Sequence, residues 1–363
     1  MQRVSPEDSP RTEVWFRVDA DRNIGSGHLV RCGLLADALG ACGIRSTFLV
    51  DSTPDELCKS LEDGGHSVRR LRAGKLLPET MAEGAPSLLV IDLDRPEYYD
   101  TQWQQSLRAR GVRLMMITFR SDRRFAADLV LNQNLLASAA EASLESGAKL
   151  LLGPRFALLA PEFRALHERP PRTVEMSCNV LVTFGGADRR DLTSRTVTAL
   201  SRMEVAPRRL VVVVGSLYSR LAELEAMLAE HDELNTELQV ATERMPELMG
   251  EADLAVTSGG LTAWELACAG VPNVIVSSSE RERLTGVHLD RQGLAHFAGH
   301  HDQTDGEAIR GAVEELLADV ERRRGLAFAG RRLVDGRGLD RVLETMLALI
   351  NPARLDRGVE HGT

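Results

Sequence analysis

The chain has 363 residues, 43% of them hydrophobic, and its 44 Lys and Arg against 53 Asp and Glu give a formal net charge of −9. This length predicts two domains, and the acidic balance argues against a nucleic-acid partner. The 5 cysteines include no C-x-x-C pair, which argues against a disulfide framework and a zinc module. Residues 1–12 lack the apolar segment of a leader peptide, and no later apolar run approaches membrane-spanning length. We therefore expect a cytoplasmic protein without an integral membrane segment.

Strand-like and helix-like segments alternate through the first half of the chain. Residues 14–20 alternate as a strand does, and residues 28–39 carry apolar side chains at helical spacing. Further strands are predicted at residues 46–50, 87–92, 113–119 and 129–133. Such alternation predicts a parallel sheet with helices on both faces.

A break at residues 167–176 separates this half from a second one, because Pro170 and Pro171 cannot continue a helix. The pattern then restarts, with strands predicted at 179–184, 210–214, 237–241, 254–258 and 273–277 and helices at 191–202, 219–230, 245–249 and 262–269. The expected organisation is a domain at 13–166, a second at 177–335, a terminal helix within 336–351, and disordered ends at 1–12 and 352–363. Ligands bind at the carboxyl ends of parallel strands, so we expect the site in a cleft between the domains.

The most informative segment joins the first predicted strand to the first helix. Gly25 and Gly27 bracket a tight turn, and His28 follows at the start of the helix. Free amides and the positive end of the helix dipole attract a phosphate or a developing negative charge there. The segment thus places an acid/base group beside an anion site, although Val30 breaks the dinucleotide-binding pattern G-x-G-x-x-G. The alternative is a purely structural turn with a solvated histidine.

Two glycine turns follow strands in the second half, at residues 185–186 and 259–260. After the second of them, Thr262 and Glu265 fit the S/T-x-x-E capping box. Two interpretations compete for this glutamate. Its carboxylate either accepts a hydrogen bond from the Thr262 amide or faces the cleft and accepts from sugar hydroxyls.

Five segments carry a resemblance to a known family. They are DADRNIGSGHLVRC from Asp19, LNQN from Leu131, LGPRFALLAPEF from Leu152, VTFGGAD from Val182 and SGGLTAWE from Ser258. From about Phe16 to Ala295 the chain resembles the UDP-sugar hydrolases of pseudaminic acid biosynthesis and the related spore-coat polysaccharide proteins. The second half also resembles the nucleotide-binding domain of the lipid II-forming N-acetylglucosaminyltransferase.

The resemblance implies an α/β protein with the GT-B fold, in which two Rossmann-like domains with parallel sheets face a central cleft. It implies that UDP lies on the second domain, with Glu265 on the ribose, Met245 near the uracil and the other nucleotide-side residues beside them: Gly185, Gly186, Ser258, Gly259, Gly260 and Thr262. His28 of the first domain is then expected to activate water for attack on the anomeric carbon, with inversion. The implied sugar-side residues are Asp19, Gly25, Ser26, Gly27, Arg31, Asp92, Asn132 and Gln133. A UDP-sugar is the implied substrate, with no cofactor and no metal ion.

Three features depart from the family pattern on the sugar side. Asp94 stands where the family usually has a tyrosine, Thr118 and Phe119 replace paired aspartates, and Arg281-Glu282 replaces an Asn-Gln pair. The nucleotide side is intact, so a UDP-sugar site is better supported than any one reaction. Three functions are therefore considered: hydrolysis of a UDP-linked amino sugar for surface-glycan biosynthesis, glycosyl transfer in which the same histidine deprotonates an acceptor hydroxyl, and nucleotide-sugar binding without catalysis.

Overall fold

The computed structural model describes residues 12–72, 75–77, 85–120, 123–134, 143–144, 148–172, 178–231 and 234–351. Apart from Thr12, the predicted disordered ends lie outside these residues, as does the end of the predicted linker. The described chain forms two large parallel sheets, each covered by helices. The predicted α/β class with two parallel sheets is confirmed.

The first sheet contains seven of the described strands, all parallel: β1 (Glu13–Val18), β2 (Arg45–Val50), β3 (Ser67–Arg70), β4 (Leu88–Asp92), β5 (Arg113–Ile117), β7 (Leu129–Asn132) and β9 (Lys149–Leu152). Two short strands, β6 (Arg124–Phe125) and β8 (Ser143–Leu144), pair separately. The order β3-β2-β1-β4-β5-β7-β9 places a switch point between β1 and β4, where nucleotide-binding sheets hold their ligands. This half also contributes the helices α1 (Gly27–Ala41), α2 (Asp55–Asp63), α3 (Thr101–Ala109) and α4 (Pro161–His167).

The second sheet repeats this order as β12-β11-β10-β13-β14-β15. Its strands are β10 (Asn179–Thr183), β11 (Arg209–Val214), β12 (Thr236–Val240), β13 (Leu254–Thr257), β14 (Asn273–Ser277) and β15 (His296–His300). The helices of this half are α5 (Leu192–Leu200), α6 (Leu221–Glu230), α7 (Met245–Glu251), α8 (Leu261–Ala269), α9 (Glu280–Arg291), α10 (Gly306–Ala318), α11 (Val320–Leu333) and α12 (Gly338–Ile350). The second sheet has its own switch point between β10 and β13, which corresponds to the one between β1 and β4. The two sheets therefore have equivalent ligand-binding edges.

Two helices cross between the domains. The predicted first domain ends at residue 166 and so includes most of α4. In the structure α4 packs against α7 and α8, and Phe163 is buried in the hydrophobic core of the second domain, the second core. In the other direction, α12 returns to bury its apolar face in the first core. Leu158 still packs in the first core and Leu159 already packs in the second. The packing therefore changes before α4, earlier than the boundary at residue 166 that the sequence predicted, because Phe163 contributes its ring to the second core.

The glycine loops of the two domains touch each other. A Cβ built on Gly186 would lie 2.1 Å from Oγ of Ser26, and one built on Gly215 would lie 2.4 Å from Cα of Gly186. Both distances are far shorter than van der Waals contact. A side chain at Gly215 would force the backbone of Gly186 to move, and one at Gly186 would force the Ser26 hydroxyl to move and crowd its Cβ and amide at 3.1–3.2 Å. The loop after β1 and the loop after β10 therefore meet at contact distance, which joins the two sheet edges into one site.

Replacing Gly186 by Ala should separate the two domains or strain their contact. We expect a loss of unfolding free energy of about 1–3 kcal/mol, as for other overpacked positions, and a larger radius of gyration by small-angle X-ray scattering. Adding Ser26→Gly should restore most of both losses, because it removes the atoms nearest to the new methyl group. Gly27→Ala is the control, since its Cβ would meet nothing within 4 Å. Unchanged stability and size of Gly186→Ala would show that the loops do not meet.

Candidate functional site

A deep cleft separates the two domains at the carboxyl ends of both sheets. Its volume is about 2260 Å³, and the loops after β1, β4, β10, β13 and β14 line it. A pocket for one small molecule typically measures about 300–1,000 Å³. The cleft therefore has room for a nucleotide-sized ligand and for a second group beside it.

His28 stands in the first turn of α1, where the loop after β1 enters the cleft. Its Nδ1 lies 2.8 Å from Oδ1 of Asp92, the last residue of β4. The histidine side chain is 16% exposed and the carboxylate 1%. Nη2 of Arg31 also lies 3.0 Å from Nδ1, but Nη2 donates to the carboxylate. Because an ionised carboxylate only accepts hydrogen bonds, the shorter contact with Asp92 favours a hydrogen on Nδ1, and Nε2 of the neutral ring is then an acceptor. The pair can therefore take a proton from a group in the cleft.

Arg31, almost one helical turn after His28, holds Asp92 from a second side. Its Nε lies 2.5 Å from Oδ2 of Asp92, and its Nη2 donates to Oδ1. Burial alone would raise the pKa of Asp92, but the Arg31 guanidinium and the His28 ring hold it well below its ordinary value. Cys32 adds a weak S–H donor 3.6 Å from Oδ2, and burial beside Asp92 raises the pKa of this thiol. Asp92 is therefore a fixed negative charge behind the histidine.

Glycines shape the opposite wall, which belongs to the second domain. Gly185 has a φ of 77°, in the left-handed region that favours glycine. A Cβ on Gly259 would lie 2.7 Å from the carbonyl oxygen of Glu282 in α9. Four further predicted residues, Met245, Ser258, Gly260 and Thr262, line the cleft. Apart from Gly259, which packs against α9, the predicted nucleotide-side residues thus line one wall of the cleft.

Glu265 faces the cleft without a partner. The helix α8 begins at Leu261, so Gly260 and not Thr262 occupies its N-cap, and no side-chain capping hydrogen bond forms. The capping-box interpretation is therefore wrong. Within the described part of the chain no hydrogen bond or ion pair reaches the Glu265 carboxylate, and burial raises its pKa to about 7. A partly buried carboxylate without a protein partner, at the wall of the cleft, is poised to accept hydrogen bonds from a ligand.

Four of the predicted sugar-side residues do not line the cleft: Asp92, which lies behind His28, and Asp19, Asn132 and Gln133. Asp19 is fully buried, and its carboxylate accepts from the Asp51 amide at 2.6 Å and from the guanidinium groups of Arg17 at 2.9 Å and Arg95 at 3.1 Å. All of its partners are protein groups, and its contribution is to position Arg95, which does line the cleft. The predicted direct contact of Asp19 with substrate therefore has no support in this geometry.

Asn132 and Gln133 also turn into the protein. The Asn132 side chain accepts from the Asn134 amide at 3.1 Å, and that of Gln133 accepts from the Leu158 amide at 3.0 Å. Both side chains are buried. Gln133 thus fixes the end of β7 to the segment that crosses between the domains, whereas Asn132 closes a local turn after the strand. Their role in this structure is to hold the loop rather than to contact a ligand.

The positions that depart from the family pattern lie together in space. The Phe119 ring lies 5.0 Å from the guanidinium carbon of Arg281 and 5.5 Å from that of Arg120. Nε of Arg120 donates to Asp94 at 3.2 Å, and the hydroxyls of Thr118 and Tyr99 are 3.1 Å apart. Four of the five departing residues thus lie in one cluster beside His28, with Arg281 reaching it from the second domain.

Some residues of the cleft wall were not predicted from the sequence. Arg95, His300 and His301 all line it, and Nδ1 of His300 lies 2.9 Å from Oγ of Ser277. His300 ends β15, so the rule that sites lie at the carboxyl ends of parallel strands could have found it, had this edge strand been recognised.

Comparison with known proteins gives a partial sequence match. No family model matches the chain. It is 27% identical over 201 residues to the spore coat polysaccharide biosynthesis protein SpsG of Bacillus subtilis, covering 55% of this chain and 58% of that protein. It is 32% identical over 102 residues to the UDP-N-acetylglucosamine–N-acetylmuramyl-(pentapeptide) pyrophosphoryl-undecaprenol N-acetylglucosamine transferase of Rubrobacter xylanophilus, covering 27% of this chain and 30% of that protein. The chain spans less than two thirds of the length of the curated relatives it matches.

Comparison of structures identifies the fold. The chain matches MurG of Acinetobacter baumannii with a TM-score of 0.64 at 17% identity, over 92% of this chain and 98% of that one. The two sheets and their shared cleft thus define a protein of the GT-B fold. Within that class the chain is SpsG-like in sequence, as its five sequence segments predicted. In the described part of the chain, no helix is both long enough and apolar enough to cross a bilayer.

Asp19→Asn should destabilise the protein without weakening its binding of a nucleotide. The substitution leaves the buried Arg17 guanidinium without its carboxylate partner, and the loss of one member of a buried ion pair costs about 3–5 kcal/mol. Urea unfolding and UDP titration would measure both quantities. Asp51→Asn, at the more exposed end of the same network, is the control and should cost much less. If Asp19→Asn had normal stability but had lost UDP binding, the result would contradict this structural role and would indicate that Asp19 contacts the ligand.

Glu265 should make stability depend on pH. Its pKa of about 7 in the folded protein lies above the ordinary value of 4.5, so between these values the folded state binds a proton that the unfolded chain has released. Stability should therefore fall as pH rises from about 4.5 to 7, by about 1–3 kcal/mol. Glu265→Gln should remove that slope and be more stable than the parent at pH 8, as measured by urea unfolding. The control is Glu243→Gln, which replaces an exposed carboxylate of the same cleft and should leave the slope intact. If the parent and Glu265→Gln showed the same dependence of stability on pH, the raised pKa assigned to Glu265 would be contradicted.

Proposed function

We propose that this protein is an enzyme that uses a UDP-linked sugar in polysaccharide biosynthesis. The observation that carries the proposal is the pairing of His28 with Asp92 on one wall of the cleft, opposite the unpartnered Glu265 and the glycine loops on the other. One wall offers a proton acceptor, and the other offers groups suited to a nucleotide. The relatives support the same substrate class, since one is named for polysaccharide biosynthesis and another for a UDP-sugar reaction.

In this proposal the second domain holds UDP. The Glu265 carboxylate accepts hydrogen bonds from the ribose hydroxyls, and Met245 packs near the uracil. The bare backbone at 185–186 and 259–260 allows the diphosphate to approach, where the N-termini of α8 and α9 add positive potential. These groups also stabilise the negative charge that develops on UDP as it leaves.

The first domain then activates the nucleophile. Nε2 of His28 takes a proton from water as the water oxygen forms a bond to the anomeric carbon. The bond from that carbon to the UDP oxygen breaks, and its electron pair remains on the diphosphate, so the configuration inverts. Asp92 stabilises the imidazolium that forms, and Arg31 keeps Asp92 ionised. A general base of this kind contributes about 10²–10⁴-fold to the rate. The sequence resemblance makes a UDP-linked amino sugar of pseudaminic acid biosynthesis the leading substrate.

Glycosyl transfer is the second candidate. It is favoured by the volume of the cleft and by the exposed apolar side of α1 beside His28, where Val30 and Leu34 line the cavity. An acceptor bound there would present a hydroxyl to the same histidine. The intact His28–Asp92–Arg31 arrangement favours either reaction over binding without catalysis.

A panel of UDP-sugars, with and without candidate acceptors, tests the proposal through the release of UDP. Release without an acceptor supports the hydrolase, and release only with an acceptor supports the transferase. On the substrate so found, His28→Ala should lower turnover at least about 100-fold while leaving UDP affinity within about twofold.

Glu265→Ala is the reciprocal variant. It should weaken UDP binding by about 1–3 kcal/mol, the range for a charge-assisted hydrogen bond, as measured by calorimetry. Turnover at saturating substrate should change far less than in His28→Ala. Binding of every UDP-sugar without release, or equal turnover by parent and His28→Ala, would contradict the proposed role of the histidine.

A further inference from the structure

Arg281 crosses the cleft to the first domain. It lies in the first turn of α9, its side chain is exposed, and its guanidinium stacks on the Phe119 ring at 5.0 Å. Arg31, Asp92 and Asp94 are close enough to act on its charge. Arg281 therefore stands at the end of the cleft where the proposed function puts the sugar, beside the His28–Asp92 pair.

Glu282, Asp92 and Asp94 are close enough to stabilise the charge of Arg281, but among the described residues none forms an ion pair with it. Arg31 is paired with Asp92, and Arg120 is paired with Asp94. The acidic neighbours of Arg281 in α9 are also engaged, since Glu280 binds Arg283, and Glu282 accepts from the amide and the hydroxyl of Ser278. Among the described residues no acceptor forms a hydrogen bond with the Arg281 side chain. Of Arg31, Arg120 and Arg281, the last is thus the one without a hydrogen-bond acceptor among the described residues, and its guanidinium can bind a ligand.

We propose that Arg281, stacked on Phe119, binds a carboxylate on the sugar, so that the substrate is a UDP-linked sugar acid. This inference rests on the proposed use of a UDP-linked sugar, and it departs from the amino sugar that the resemblance favours by assigning a carboxylate to the sugar. Stacking covers one face of the guanidinium and leaves its edge free, and the planar fork of N–H donors matches a carboxylate in two parallel hydrogen bonds. The neutral amide pair expected at 281–282 from the family pattern would suit hydroxyl or acetamido groups instead. The substitution therefore points to a negatively charged substituent.

The diphosphate is the competing source of negative charge. Its proposed place is at the glycine loops, where Gly186 touches Ser26, whereas Arg281 is stacked beyond them on a ring from the end of β5. UDP alone should therefore not depend on Arg281, and a sugar carboxylate should.

Calorimetric titration of UDP, UDP-glucose and UDP-glucuronic acid separates these possibilities, because the two sugars differ only in a hydroxymethyl or a carboxylate group. We expect UDP-glucuronic acid to bind at least about tenfold more tightly than UDP-glucose, as for a charge-assisted pair. Arg281→Gln should abolish this preference and leave UDP affinity within about twofold. Arg281→Lys should keep only part of it. Arg283→Gln, on the same helix and paired with Glu280, is the matched control and should behave as the parent does.

Equal binding of the two UDP-sugars by the parent would overturn this inference while leaving the proposed function in place. A loss of affinity for UDP itself in Arg281→Gln, as large as the loss for UDP-glucuronic acid, would assign the arginine to the diphosphate and overturn it as well. Failure of the parent to bind any of the three would instead overturn the proposed function, and this inference with it.

Discussion

The chemistry of the cleft depends on one buried carboxylate. Asp92 ends a central strand that is buried at every residue, so its charge needs partners within the protein. His28 and Arg31 supply them from one face of α1. The interaction orients the imidazole, selects the ring nitrogen that faces the cleft, and keeps the carboxylate ionised against the cost of burial. Without it, the glycine turn before α1 would present only a mobile histidine.

The sequence predicted the central strands well because they are continuous apolar runs, as parallel strands covered on both faces must be. The strands β9 and β15 were missed. Both lie at sheet edges and are only partly buried, β9 is a short run of three leucines after Lys149, and β15 has little apolar pattern. The site was predicted where glycine turns follow strands. The direction of individual side chains was not predicted. Asp19 turns inward to Arg95 and Gln133 to the Leu158 amide, and both partners lie far away in the sequence. The sequence left open whether Glu265 caps its helix or faces the cleft. The start of α8 at Leu261, one residue before Thr262, decides between the two, because Thr262 is then not the N-cap.

The departures from the family pattern have a common physical meaning. Taken singly along the sequence, Asp94, Phe119 and Arg281 weaken the case for the family's reaction. In the structure they form one cluster that spans the cleft, while the histidine pair beside it and the nucleotide wall opposite are unchanged. A coordinated change on the sugar side favours a different sugar over a lost activity. Hydrolysis and transfer need the same base, and they differ in what occupies the rest of the cleft.

The central claim is that the nucleophile activated by His28 attacks the anomeric carbon and not the diphosphate. The most direct test is to run the reaction in water enriched in oxygen-18 and to analyse the released UDP by mass spectrometry. Attack at carbon breaks the bond between the sugar and the UDP oxygen, so the released UDP should carry no label, whether water or an acceptor is the nucleophile. Incorporation of one labelled oxygen into UDP would mean that water attacks phosphorus, and it would contradict the mechanism that we derive from the His28–Asp92 pair.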